Sequence, residues 1–365
     1  MTGRERFACA LARRAADRVP FDIGGTCLTG MRPLCRQRLC ALLGFPPTAA
    51  DGSADERLLQ WAGTDFRAVG GIVPLPGPHA RCISDTAHVD GWGVRREVVA
   101  GEWQIVDSPL RGASRADLEA FRWPAPDVDD RLLAAWQEQA RLLRAAGRYA
   151  VVGNHPVFGV LELGCWMCGY DEFLLKLALD PDFVRAFFDR VLAIQLAVVR
   201  QYYGALGPHL DLTTSGDDFG AQNGPLLSPE MFATLVAPYF RARIAATKAL
   251  VNGPFWHHSC GSVTRLLDQI IACGVDILNP VQTSAAEMEP AELKRRFGDR
   301  LVFWGAMDVQ QFLPRAAPAE VAARARELIR VLGKDGGYVM APAHEMQDDV
   351  PAENIAAWVE AVRGS

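Results

Sequence analysis

The sequence predicts an α/β chain folded as a single (β/α)8 barrel over residues 1–365, with an N-terminal helical extension and a small hairpin excursion. Three observations predict it. From Leu132 onward, short apolar runs alternate with longer runs of helical period, the pattern of parallel strands wrapped by helices. Seven or eight such units in 365 residues favour a closed barrel over an open doubly wound sheet. No GxGxxG follows a first strand, so the dinucleotide-binding alternative lacks its phosphate turn.

The elements follow in order. Gly3 to Ala16 reads as a helix with Phe7, Leu11 and Ala15 on one stripe, stopped by Pro20. A second helix is expected from Arg32 to Leu43, ended by Gly44 and the Pro46–Pro47 pair. Gly70 to Pro74 is a candidate early strand. Trp92 to Glu97 and Glu102 to Val106 read as two strands around a turn, the expected excursion. Strands are then expected at 149–153, 210–214, 254–257, 275–278, 301–304 and 337–340. Helices are expected near 171–178 and over 181–203, 229–250, 263–272, 290–297, 318–332 and 352–362.

Composition narrows the function. An apolar fraction of 50% with 22% charged residues is ordinary for a soluble globular protein. The net charge of −5 is dispersed, with no basic stripe, which argues against a nucleic-acid partner. No apolar run approaches the ~18 residues of a membrane span, and the polar N-terminus lacks a signal-peptide core, so a cytoplasmic location is expected. The nine cysteines are scattered and odd in number, which argues against a disulfide framework. Cys165 and Cys168 form a solitary CxxC. Its plain reading is two apolar residues near the start of a helix, and thioredoxin-like chemistry is the alternative.

Chemistry concentrates just past the expected strand ends. There stand Asn154 and His155, Asp217 and Asp218, His258 and Cys260, Asn279 and Gln282, Asp308, and His344 with Glu345. In a (β/α)8 barrel these loops converge on one face, where active sites lie. Residues two apart in an extended segment share a side, so His258 and Cys260 can hold one tetrahedral zinc. His344, closing the last strand, is the expected third ligand. Asp217, Glu162, water or substrate is left for the fourth position. The plain alternative is a buried cysteine beside a hydrogen-bonded histidine. His257 points the other way and reads as structural. Asp217 and Asp218 read either as a solvated turn or as a ligand, a general base or a substrate partner. Asn279 and Gln282 frame a polar wall and join them as candidate catalytic residues. His155, Glu162 and Asp308 are candidate substrate contacts. Trp92, Trp103, Trp166 and Trp256 are either core or the lining of a pocket.

Several of these segments resemble the uroporphyrinogen decarboxylase superfamily: residues 217–232, 257–261, 274–282, 342–344 and 350–354. The resemblance runs in order along nearly the whole chain and implies a single (β/α)8 barrel. One branch decarboxylates a porphyrinogen without metal, using an arginine-rich N-terminal motif around RQAGRY. The matching region here, Phe21 to Cys27, lacks the arginines. The other branch transfers methyl groups to and from corrinoids, with zinc on an HxC pair and a later cysteine. The HxC pair corresponds to His258 and Cys260, and His344 stands where the late cysteine would be. The resemblance therefore implies a zinc-dependent methyltransferase acting between a small methoxy, methylthio or methylamino compound and a corrinoid on a partner protein. A homodimer is compatible with this reading. The alternatives are a metal-independent decarboxylase or lyase using Asp217 or Asp218, and a non-catalytic metal-binding subunit.

Overall fold

Among the residues that the computed structural model describes, 1–46 and 55–364, seven strands pair in parallel. Pro47, half of an expected helix stop, lies outside them. Phe66–Val69, Ala150–Gly153 and Leu212–Thr213 form one sheet, and Trp256–His258, Ile277–Val281, Val302–Met307 and Tyr338–Pro342 form another. Parallel bridges from Thr213 to Phe255 and from Gly216 to His258 join the two sheets. On the far side, Asp22 N–H donates to the Met340 carbonyl and Asp65 N–H to the Phe21 carbonyl, both at 2.9 Å. The Phe21 segment is thus bonded to the last strand on one side and to the entry of the first on the other.

The strands read as apolar runs because both of their faces are buried. One face packs under the helices. The other builds a separate cluster from alternate residues, including Phe66, Val152, Leu212, Trp256, Ile277 and Trp304. The helix Gly3–Leu11 closes one end of this cluster by laying Phe7 edge-on to Phe66, with ring centres 5.3 Å apart. Gly3 permits the approach, since a Cβ there would lie 2.6 Å from the Asp65 carbonyl. Period two places His258 on the side of Trp256 and Asn279 on the side of Ile277.

Several expectations are corrected. The first strand is Phe66–Val69, not 70–74. Arg67 hides it by breaking the apolar run. It stacks 3.7 Å from the Tyr149 ring centre and pairs with Glu56 at 2.8 Å. The excursion is a four-stranded antiparallel sheet of Arg81–Ser84, Ala87–Val89, Arg95–Val99 and Glu102–Asp107. Its first strand is exposed throughout and carries no apolar signal. Cys165 and Cys168 sit in the second half of the helix Val160–Cys168, both buried, not at its start. Strand Ile277–Val281 extends further than expected, so Asn279 lies within it. The helix expected over 229–250 is broken into Pro229–Met231, a π-type turn Phe232–Val236 and Ala237–Lys248. Pro238, which cannot donate to the helical ladder, sits at that junction. None of the described helices is long and apolar enough to cross a membrane.

Candidate functional site

His258 ends its strand opposite Asn279 in the parallel register. The Asn279 amide nitrogen donates to the Trp304 carbonyl at 3.5 Å. Its oxygen is then turned to accept from His258 Nδ1 at 2.6 Å. A proton held on Nδ1 leaves the Nε2 lone pair free, and Nε2 faces Cys260 Sγ at 3.2 Å.

Two side chains fix the loop that carries the thiol. Asp218 accepts the Cys260 N–H at 2.7 Å, and Gln282 accepts the Gly261 N–H at 2.8 Å. Gly261 has φ of 79°, and a Cβ there would meet the Ala221 carbonyl at 2.7 Å, so glycine is required. His344 arrives from the loop after Tyr338–Pro342. Ala343 N–H donates to the Met307 carbonyl at 2.8 Å and Met346 N–H to the Gly30 carbonyl at 2.9 Å, which holds that loop on both sides. The rings of His258 and His344 stand 5.8 Å apart at 66°. Donor atoms of His258, Cys260 and His344 all lie within 4.8 Å of one another, close enough to share one cation.

The electrostatics suit that use. Burial, then Asp218 and Glu162, push the Cys260 thiol far up, so it keeps its proton unless a cation compensates. Burial pushes His344 down to about 4, with His258 adding to the effect and Asp218 opposing it. Its ring is neutral at physiological pH, as a metal ligand must be. Asp218 Oδ1 stands 3.9 Å from His258 Nε2. Glu162 is pushed up to about 9 by burial first, then by Asp218 and Asp217, and so holds a proton at neutral pH.

The other expected site residues are placed as follows. Asp217 is fully buried and accepts the N–H groups of Leu161 and Glu162 at 3.2 and 2.8 Å, capping the helix Val160–Cys168. Burial pushes its carboxyl up to about 6. Asn279 and Gln282, expected as catalytic, both support the cluster, one through the His258 ring and the other through the loop amide. Asp308 accepts the N–H groups of Gln310 and Gln311 at 2.7 and 2.9 Å, which engages it in a turn. His155 packs against Thr214, receiving or donating at Nδ1 over 3.3 Å. The structure thus gathers His258, Cys260, His344 and Asp218, with Asn279 and Gln282 behind them, and leaves Asp308 in its turn. Of the tryptophans, Trp92 and Trp256 are core, while Trp103 is 49% exposed on the antiparallel sheet.

Arg243 was not anticipated. It is buried, donating to the Phe158 carbonyl at 2.9 Å and to Ser215 Oγ at 3.0 Å. Ser215 Oγ also meets His257 Nδ1 at 3.0 Å, and the Ser215 carbonyl accepts the His258 N–H at 2.7 Å. Arg243 therefore braces the backbone that carries the HxC pair. The signal was present: Phe240, Arg243, Ile244 and Thr247 share one buried helical stripe, where an arginine is out of place. A cavity of about 560 Å³ opens at the same strand ends, lined by Cys27, Asn154, Arg36 and Glu345 among others. Glu345 follows His344 and Asn154 precedes His155, so the cavity adjoins these loops.

Comparison with known proteins gives the family and the fold. The family described as uroporphyrinogen decarboxylase (URO-D) matches residues 84–365. A uroporphyrinogen decarboxylase of Anaeromyxobacter sp. (strain Fw109-5) is 25% identical over 70% of this chain and 70% of its own length. One from Coxiella burnetii (strain Dugway 5J108-111) is 24% identical over 98% of this chain and 94% of its own. Among solved structures, a methyltransferase from Methanosarcina mazei shares the fold, with a TM-score of 0.67 at 18% identity over 100% of this chain and 99% of that one.

Proposed function

Because the chain belongs to the uroporphyrinogen decarboxylase family, we propose that it is a zinc-dependent methyltransferase of that family. It would move a methyl group between a small methoxy, methylthio or methylamino compound and a corrinoid carried by a partner protein. We also read the circuit of parallel bonds through the Phe21 segment as a closed (β/α)8 barrel with the site at its mouth.

The observation that carries the reading is the convergence of His258, Cys260 and His344. Two imidazoles and one thiolate are an ordinary three-ligand set for catalytic zinc, which leaves the fourth position to water or substrate, with the Asp218 carboxylate nearby. Bound there, zinc would supply a Lewis acid for the heteroatom that carries the methyl group. A reduced corrinoid would supply the nucleophile that none of these side chains offers.

The chain's own residues do the rest. Asn279 keeps the His258 Nδ1 proton in place and so directs Nε2 inward. Asp218 and Gln282 hold the Cys260 loop through its amides. Glu162, whose charge would raise the Cys260 thiol further, instead carries a proton at neutral pH. Two imidazoles with one thiolate leave a more electron-poor centre than one imidazole with two thiolates. That favours activation of a leaving group, hence demethylation, over delivery of a thiolate. The metal-independent decarboxylase or lyase alternative would draw on Asp217, whose carboxylate is engaged in capping a helix, or on Asp218, which accepts the Cys260 N–H.

The test mixes purified protein, a panel of methoxy, methylthio and methylamino donors, and cob(I)alamin. Conversion of the cob(I)alamin spectrum to that of methylcobalamin is expected with at least one donor, and its loss in Cys260→Ala. No conversion with any donor, together with decarboxylation or cleavage of another substrate, overturns the proposal.

A further inference from the structure

We infer that His155 is a hydrogen-bond donor to the substrate, presenting a fixed Nε2–H to a neutral oxygen acceptor of the methylated compound beside His258. The identity of the compound rests on the methyltransferase reading, while the donor geometry does not.

The tautomer follows from Thr214. Thr214 Oγ1 accepts the His155 backbone N–H at 2.8 Å and meets His155 Nδ1 at 3.3 Å. If Nδ1 carried the proton, the threonine hydroxyl hydrogen would have no acceptor among the described residues. The arrangement that satisfies every proton has the hydroxyl donating to Nδ1, which puts the ring proton on Nε2.

The direction follows from Gly216. Leu212, Thr214 and Gly216 alternate on one side of their segment, and Leu212 belongs to the interior cluster. A Cβ built on Gly216 would lie 3.7 Å from His155 Nε2, and Gly216 is itself bridged to His258. The missing side chain therefore leaves open space between the His155 ring edge and the HxC strand. Nε2 has no partner among the described residues and is not sealed from solvent. His257 Nε2, by contrast, is buried and unpartnered between Phe219 and Phe240. One histidine is core, and the other is poised to bind.

The chemistry selects the acceptor. Burial first, then Arg243 and His258, push His155 down to about 3, so it donates as a neutral ring. The Asp218 carboxylate, beside His258 Nε2, disfavours an added anion nearby. The fitting substrate carries an uncharged oxygen, such as a carbonyl, close to its methylated heteroatom.

The experiment uses two ethers of equal length, methoxyacetone and its carbonyl-free analogue 1-methoxypropane. Their binding to zinc-supplemented protein is followed by ligand-observed NMR, alongside nitrogen-15 spectra of histidine-labelled protein. The His155 signals are expected to report the Nε2–H tautomer and to broaden or shift in Thr214→Val. Methoxyacetone should bind roughly tenfold more tightly, about the worth of one hydrogen bond. His155→Phe should erase that preference, and His155→Gln, which keeps a donor, should retain part of it. An Nδ1–H tautomer, equal or absent binding of the two ethers to the wild type, or an intact preference in His155→Phe overturns the inference. A protein with the predicted tautomer and preference that neither holds zinc nor transfers methyl groups would keep this inference and remove the methyltransferase reading.

Discussion

At the scale of single residues, Asn279 decides which nitrogen of His258 is available. Its amide is oriented by the Trp304 carbonyl, and its oxygen holds the Nδ1 proton at 2.6 Å. Asn279→Ala should therefore lower zinc affinity by about 10–100-fold while leaving the thiol and both rings in place. Competition with a chromogenic chelator measures this, and an unchanged affinity would show that the ring needs no orienting partner. Glu162 gives a prediction with a definite sign. Its carboxyl, ordinarily near 4.5, is raised to about 9 in the folded chain. Folding thus takes up a proton, and this contribution to stability is complete below the unfolded value and lost as pH rises towards 9. Denaturant unfolding of metal-free protein between pH 5 and 9 should show declining stability, and Glu162→Gln should flatten the decline. An equally steep decline in the variant would assign it to other groups. His258, Cys260 and His344 were legible in the sequence as a cluster because histidine and cysteine are rare residue types that recur here just past strand ends. Arg243 was legible only as an arginine out of place on an apolar helical stripe, and its role was not, because its partners Ser215 and Phe158 are brought near only by the folded chain.

At the scale of elements, the helix Val160–Cys168 is tied to the site by one carboxylate. Asp217 accepts two N–H groups of its first turn, and Gly159 leaves it room, since a Cβ there would lie 1.9 Å from Asp217 Cγ. Asp217→Ala should cost about 1–2 kcal/mol of stability, the range for losing an N-cap. Thermal or denaturant unfolding checks this, and a neutral substitution would mean that water replaces the cap. The sequence pointed to Asp217 and Asp218 as a pair, and only the structure separates them, one behind the helix and one beside His258 Nε2. Helices were the most legible elements: Pro290–Phe297 and Pro318–Leu332 fall where their apolar period and N-terminal prolines place them. Strands whose outward side chains are charged were the least legible. Arg67 in Phe66–Val69 and the fully exposed Arg81–Ser84 carry no apolar run to find.

At the scale of the whole molecule, the parallel strands deliver loops from distant parts of the sequence to one end. Residues 155, 218, 258 and 260 lie at or past the ends of strands joined by parallel pairing, residue 344 reaches them from a strand three places beyond that of His258, and Trp256 and Ile277 pack below His258 and Asn279. The order of strands was legible from the alternating pattern, whereas the Phe21 segment was not, because three residues bonded to two neighbours leave no periodic signal. The central claim is that this convergence holds one zinc on one sulfur and two imidazoles. Zinc K-edge X-ray absorption on purified protein of measured metal content tests it most directly. The account predicts about one zinc per chain, with one sulfur at ~2.3 Å and two imidazole nitrogens at ~2.0–2.1 Å, and the loss of one imidazole in His344→Ala. A protein without zinc, a zinc with two sulfurs, or a spectrum unchanged in His344→Ala would contradict it.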